Sequence, residues 1–498
     1  MDEYDYIVVG GGSAGAIVAR RLSQNPSTRV ALIEAGPSDE GNAEISHLDR
    51  WLNLLGGALD FNYSSIGTGN TPSFQHYRAR VLGGCSSHNT AIMFRTPDYD
   101  LEQWVKRGAS GWGPSDCSAA MDRVAEKVPI DVGPREDLLS ADFLAAASQY
   151  GLDFRRFNTE GVYQGAGWLE LAVQGRARQS SSVCYLHPLN ELPENLSLHL
   201  ETRAQRILFD GKAATGVETD KGDLRCTGEI ILCAGVFDTP RLLMLSGVGP
   251  AEHLREIDVP VLVDLPGVGE NLLDHPDVPI NFETQIAKTA STHFYADACA
   301  FLEIDKHVPG VDVMFHFGNP AFDMQLDRLS QHDIAHTFNL SVEPSHARSE
   351  GRVKLTSKDP FAPLDIHVDF FTDPDDHDIK LVVHGLKIAR EIVRQPALAK
   401  WGITETVPSP SVINDVDLAT YARSRAGTAY HPCGTCRMGD GSVPGAVVDT
   451  SLKVHGLKGL RVADASIFPA IPSVNLVWTV MMVAERCYDL IVPDQLTQ

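Results

Sequence analysis

Asp5-Tyr-Ile-Val-Val-Gly10-Gly-Gly-Ser-Ala-Gly15 is the stretch on which the fold turns. Its first half is a short apolar run with two adjacent valines, the pattern of a strand buried on both faces of a parallel sheet. Its second half matches G-x-G-x-x-G through Gly10, Gly12 and Gly15. Ala14 to Leu22 then reads as a helix with Ala14, Ile17, Val18 and Leu22 on one face. Val30-Ala-Leu-Ile33 is a second apolar strand, ended by Glu34, 19 residues after Gly15, and followed by Ala35. Each part has a physical job in holding a dinucleotide. Gly10 allows the tight turn, Gly12 lets backbone approach a pyrophosphate, and Gly15 lets helix and strand close on each other. Ser13 and Ala14 stand at the helix start, where free N–H groups and the positive dipole end attract phosphate. Glu34 can accept hydrogen bonds from a ribose, which suits an unphosphorylated adenosine.

The rest of the composition sets bounds. The chain has 498 residues, 43% hydrophobic and 21% charged, which describes an ordinary globular protein with ample core. A net charge of −23 argues against nucleic acid and anionic membrane partners. Nine cysteines, an odd number, are scattered, and only Cys433 and Cys436 form a C-x-x-C. One such pair is poor evidence for a metal or a redox disulfide, and no metal is expected. No apolar run reaches membrane-spanning length, and the first strand begins almost at once, so a reduced, cytoplasmic protein is the expectation.

Along the chain, His47 to Leu55 reads as a helix carrying Trp51, and Gly83-Gly-Cys-Ser-Ser-His-Asn-Thr90 is a small-residue stretch where backbone can lie close to a flat ligand. Leu196 to Ala234 reads as a β-meander. Asn281 to Asp373, with Val311-Asp-Val-Met-Phe-His-Phe317, alternates as an antiparallel sheet does, and Ile379 to Val393 is an amphipathic helix. The last 70 or so residues return to dinucleotide-domain character. The expected architecture is an α/β protein: a Rossmann-like domain, parallel sheet with β-meander, from residues 1–155, 195–280 and 425–498. It interleaves with an α+β substrate domain, built on an antiparallel sheet, from 156–194 and 281–424.

Further stretches carry a family resemblance. They are Gly235-Val-Phe-Asp-Thr-Pro-Arg-Leu-Leu-Met-Leu-Ser-Gly-Val-Gly-Pro250, Gly267-Val-Gly-Glu-Asn-Leu-Leu-Asp-His-Pro276, Tyr430-His-Pro-Cys-Gly-Thr-Cys-Arg-Met-Gly439 and Gly459-Leu-Arg-Val-Ala-Asp-Ala-Ser466. In that order, the chain resembles the glucose–methanol–choline oxidoreductase family. Leu48-Asp-Arg-Trp51, the His88 stretch, Ser345-His-Ala-Arg348 and Thr479-Val-Met-Met482 bring it nearest to the choline-oxidising branch.

The resemblance implies a flavoprotein that binds FAD and oxidises an alcohol. It implies a covalent link from His88 to the flavin. It also implies that Phe61, Val81, Gly84, Asn89, Ile92, Ala204, Asp464 and Ala465 contact the cofactor. It assigns His431 as the base, Asn475 as a hydrogen-bond donor to the alkoxide, and His346 as a further imidazole holding that alkoxide. The remaining 15 histidines are taken as surface or structural. For the substrate, the stretch Ser291 to Phe301 aligns a family glutamate with either Ala296 or Asp297. An Asp297 facing the cavity beside Phe294, Tyr295 and Trp51 would bind an ammonium group by charge and cation–π attraction. Thr90, Phe61 and Val477 depart from the branch, which leaves the alcohol chemistry intact and choline itself open. The expected function is FAD-dependent oxidation of a small primary alcohol, choline-like or an amino alcohol. The product would be the aldehyde, or beyond it the acid, with O2 as acceptor giving H2O2 and a homodimer as the possible assembly. The alternative is a dehydrogenase passing electrons to a quinone or protein from a neutral, benzylic or sugar alcohol.

Overall fold

The computed structural model describes residues 3–69, 71–132, 137–187, 192–288, 296–306, 308–321 and 335–492. Strand β1 (Glu3–Val9) feeds helix α1 (Gly15–Leu22), which returns to strand β2 (Val30–Ile33), in the order the opening stretch predicts. β1 and β2 run parallel, with Tyr6 opposite Val30. All four residues of β2 are buried, each of its large apolar side chains contributing about 1.5–3 kcal/mol of burial. The first sheet runs Ala204–Asp210, Ala213–Thr219, Leu224–Leu232, β1, β2, Leu196–His199. Only the first three strands form the meander. Leu196–His199 pairs parallel with β2 at the opposite edge, Leu196 opposite Val30 and Leu198 opposite Leu32. Leu224–Leu232 is shared: its end also pairs parallel with Leu460–Val462, Ile230 opposite Leu460.

The second sheet is wholly antiparallel, in the order Thr404–Val407, Pro276–Glu283, Thr337–Pro344, Val313–Gly318, Ala296–Leu302, Gly165–Trp168. Thr337–Pro344 is buried along its whole length, with helix His377–Val393 packed on one side. The other face belongs to the cavity. His316 stands opposite Ser341 and Gly318 opposite Asn339, and the period of two turns all four toward the cavity. Glu343 lies one step further along that face.

Leu48–Leu54, expected as an α-helix, is a 3-10 helix that buries Trp51. The closing helix Val477–Ile491 packs on α1 and on Pro114–Lys127. All nine cysteines are free, Cys433 and Cys436 included. No helix among the described residues is long and apolar enough to cross a membrane.

Candidate active site

One long cavity runs from the glycine turn to the second sheet. At its first end a Cβ on Gly15 would lie 1.8 Å from the Gly10 carbonyl oxygen, and Gly10 itself takes φ +99°. Only glycine closes this turn. A Cβ on Gly12 would meet nothing nearer than Gly84 Cα at 3.7 Å, so the backbone there is open to a ligand. No side chain caps α1, which leaves its first-turn N–H groups and dipole end to an anion beside Gly12, Ser13 and Ala14. Glu34 is buried, Oε2 accepting from Gly11 N–H and Oε1 from Gly36 N–H, both at 2.8 Å. Burial raises its pKa to about 7 against those two amides, and ribose hydroxyls donating to it would favour the carboxylate further. Ala35, Phe61 and Ala204 line the cavity with it.

In the middle, Gly84, His88, Asn89, Ile92, Asp464 and Ala465 line the wall. Asp464 accepts from Gly235 N–H at 2.8 Å and from Thr239 Oγ1 at 2.6 Å. Asn89 Oδ1 accepts from Ala91 N–H and from Arg178 Nη1, both at 2.9 Å. His88 is buried, and neither ring nitrogen has a hydrogen-bond partner among the described residues. Val81 does not reach the cavity. It packs behind the wall with Ile45, Leu54 and Ala79. An uncapped helix start, the open backbone at Gly12, the Glu34 carboxylate and the buried His88 imidazole on the wall suit FAD laid along this cavity.

At the far end His431 follows Tyr430, whose backbone takes φ +61°, and its N–H is held by Asp274 Oδ1 at 3.0 Å. The imidazoles are wired by acceptors that leave little choice. The Ser345 carbonyl can only accept, so His275 Nε2, at 2.9 Å, carries hydrogen. Burial holds the His275 pKa at about 3, so its Nδ1 is bare and accepts from His431 Nδ1–H at 3.0 Å. His431 Nε2 is then the lone-pair nitrogen, receiving the Asn475 amide at 3.0 Å. Burial, and then the neighbouring His275 and His316, keep the His431 pKa well below the usual imidazole value. Asn475 Oδ1 in turn accepts from His316 Nε2 at 3.3 Å, and His316 Nδ1 meets Glu343 Oε1 at 2.7 Å. Burial would discharge His316, but the fully buried Glu343 carboxylate outweighs it and raises the pKa, which favours the imidazolium there.

His346 is not part of this group. Its Nε2 lies 2.8 Å from Asp100 Oδ1, outside the cavity, and Asp100 Oδ2 holds Ser473 N–H at 2.8 Å. That cluster braces the turn leading to Asn475. The imidazole facing the substrate space is His316, which sequence reasoning took as structural, as it did His275. A histidine in the otherwise apolar Val313–Gly318 and a glutamate in the neighbouring strand Thr337–Pro344 were the signal available. Asp297 is also displaced. The register shifts at this point, Ala296 pairing with Gly318 and Ala298 with Phe317, and Asp297 lies outside the cavity, where Ser140 Oγ donates to it at 3.0 Å. Burial raises its pKa to about 7 there. Trp51 does line the cavity, in an aromatic corner with Tyr77 and Tyr430, whose rings lie 5.7 Å apart. Tyr295 and Phe294 fall outside the described residues.

Models of the GMC oxidoreductase family match residues 4–277 and 347–484. Choline oxidase from Arthrobacter globiformis is 40% identical over 98% of this chain and 94% of its own length. The mitochondrial choline dehydrogenase of Mus musculus is 34% identical over 98% and 89%. Among solved structures, pyridoxine 4-oxidase from Mesorbium loti superposes with a TM-score of 0.87 at 24% identity, covering 97% of this chain and 98% of that one, a likeness of fold. With matched segments at both ends of one continuous cavity, the chain belongs to the GMC oxidoreductase family and is an FAD-dependent enzyme acting on CH–OH donors.

Proposed function

We propose that this enzyme oxidises a small primary alcohol bearing an ammonium group, choline or an amino alcohol, to the aldehyde, with dioxygen as acceptor and hydrogen peroxide as product. The observation that carries the chemistry is the lone pair of His431 Nε2, held toward Asn475 at 3.0 Å at the edge of the cavity. Bound FAD supplies the two-electron acceptor that takes hydride from the carbinol carbon. A substrate hydroxyl displacing the Asn475 amide would give its proton to Nε2. Asn475 Nδ2 and the His316 imidazolium then stabilise the developing alkoxide. Glu343 keeps His316 charged without reaching the cavity itself. In this reading His88 joins the flavin covalently. Residues 1–155, 195–280 and 425–498 carry the cofactor, and 156–194 with 281–424 face the substrate.

The ammonium group fits the corner formed by Trp51, Tyr77 and Tyr430, whose ring faces offer cation–π attraction. Buried Asp277 adds negative potential near Tyr430, whose phenol is raised by burial first and by that carboxylate among others. The relative named choline oxidase supports the same substrate class, and the one named choline dehydrogenase supports a second reading with a non-oxygen acceptor. Anaerobic mixing with choline, aminoalcohols, benzylic alcohols and sugars tests the first part. Bleaching of the flavin band by cationic alcohols alone is the expected result, and bleaching by neutral ones alone overturns it. Turnover in air, compared with turnover on an artificial quinone without air, separates oxidase from dehydrogenase.

A further inference from the structure

We propose that Asp100 is a positioning residue that sets the distance between the Asn475 amide and the His431 lone pair, by tying together two chain segments that carry the reacting groups and their supports. The inference rests on the alcohol-oxidation reading above and adds the residue that holds its geometry from outside the cavity.

Asp100 stands in the first turn of the helix Asp98–Lys106 and is 2% exposed. Its two oxygens face different segments. Oδ2 accepts from Ser473 N–H and from Ser473 Oγ, each at 2.8 Å, two residues before Asn475. Oδ1 lies 2.8 Å from His346 Nε2, and because a carboxylate only accepts, that nitrogen carries the hydrogen. His346 directly follows Ser345, whose carbonyl takes the His275 Nε2 hydrogen at 2.9 Å and thereby fixes which nitrogen of His431 is bare. One step before Ser345, beyond Pro344, Glu343 holds His316. A single carboxylate, through charge-assisted hydrogen bonds, thus spans from the support of the base to the segment that delivers the amide.

Other side chains of the same helix and its lead hold the Asn475 segment without making that span. Trp104 Nε1 donates to Ala470 O at 3.0 Å, the Tyr99 hydroxyl lies 3.0 Å from Ser473 Oγ, and Thr96 Oγ1 lies 2.9 Å from Thr479 Oγ1. They fasten the segment at both sides of Asn475. Asp100 also sets where that segment lies relative to Ser345. The spacing matters because Asn475 Nδ2 meets His431 Nε2 at 3.0 Å and Asn475 Oδ1 meets His316 Nε2 at 3.3 Å. A shift of roughly 1 Å, even one caused far from the chemistry, can cost about 100-fold in rate.

The test compares FAD-loaded wild type, Asp100→Leu, Asp100→Asn and Thr96→Val by anaerobic stopped-flow bleaching with choline, or with whichever alcohol of the panel above reduces wild type fastest. The limiting rate of Asp100→Leu should fall roughly 100-fold. Its half-saturating concentration should stay near that of wild type, the mark of an interaction made in the transition state. Asp100→Asn can still accept from Ser473 N–H and can donate to His346 Nε2 once that ring moves its hydrogen to Nδ1, so it should recover most of the rate. Thr96→Val loosens the same segment and should melt lower yet bleach as wild type does. In an Asn475→Ala background, where one of the two spaced groups is gone, Asp100→Leu should slow bleaching far less than it does alone. Fully multiplicative losses overturn the proposal, as does an Asp100→Asn or a Thr96→Val as slow as Asp100→Leu. If Asp100→Leu does not fold, His346→Leu cuts the tie from its other end, and wild-type bleaching by that variant overturns the role. Crystal structures of wild type and of whichever of these variants folds add a measurement that needs no substrate. The Asn475 Nδ2 to His431 Nε2 contact should open beyond hydrogen-bond reach, and an unchanged contact overturns the proposal. A wild type bleached by no alcohol defeats the proposed oxidation instead, and the two crystal structures still decide the role of Asp100.

Discussion

The rings of His275 and His431 meet edge to face, 86° apart, with Nδ1 facing Nδ1 at 3.0 Å. Two such nitrogens can share only one hydrogen, and the Ser345 carbonyl on the far side of His275 decides which ring donates. His275→Leu removes that acceptor and frees His431 to hold its hydrogen on either nitrogen. We expect kcat/KM to fall roughly 100-fold, in the range of a misplaced general base, with FAD content unchanged. Anaerobic stopped-flow bleaching checks this, and an unchanged bleaching rate would show the tautomer to be set elsewhere.

Glu343 raises the His316 pKa across the 2.7 Å contact. A group with a raised pKa keeps its charge until pH climbs past that value, so any activity that needs the imidazolium is lost on the alkaline side. Glu343→Gln withdraws the anion, lowers the His316 pKa, and should move the alkaline limb of kcat/KM to lower pH. Superimposable pH profiles of variant and wild type would exclude His316 as a working cation.

Tyr77 borders the cavity in the aromatic corner with Trp51 and Tyr430. Tyr77→Leu keeps the apolar volume and removes a ring face worth about 0.5–2 kcal/mol to a cation. KM for a quaternary-ammonium alcohol should rise roughly 2- to 30-fold by the same estimate, with that for a neutral alcohol little changed. Equal rises for both would assign the corner to shape alone.

Gly15→Ala places a methyl 1.8 Å from the Gly10 carbonyl oxygen, inside any tolerable contact. Overpacking of this kind costs about 1–3 kcal/mol, and here backbone must move at the phosphate turn. The variant should melt several degrees lower and purify with a depleted visible flavin band relative to protein absorbance. A fully yellow, equally stable variant would contradict the turn geometry.

Local pattern carried the cofactor half far into the sequence. Gly10, Gly12, Gly15 and Glu34 lie within 25 residues, and each one's role follows from sterics a reader of the chain can apply. The substrate end was legible only in part. His431 and Asn475 came through the family motifs, but their partners arrive from far away: His275 lies 156 residues before His431, and His316 lies 159 before Asn475. Asp297 and His346 both carry suitable chemistry, and nothing local distinguishes them from His316. Strand alternation decides between faces one residue at a time, and the break in register between Ala296 and Ala298 is invisible without the partner strand.

Leu460–Val462 lies in parallel register against Leu224–Leu232, in the same sheet as β1 and β2. During synthesis the nucleotide half therefore waits with one flank of its central strand unfilled while more than 200 later residues are made. The segment that completes that flank is followed at once by Asp464, Ala465 and Asn475. Assembly of the cofactor wall and delivery of the reactive amide are thus one late folding event, and a truncation before residue 460 forfeits both together.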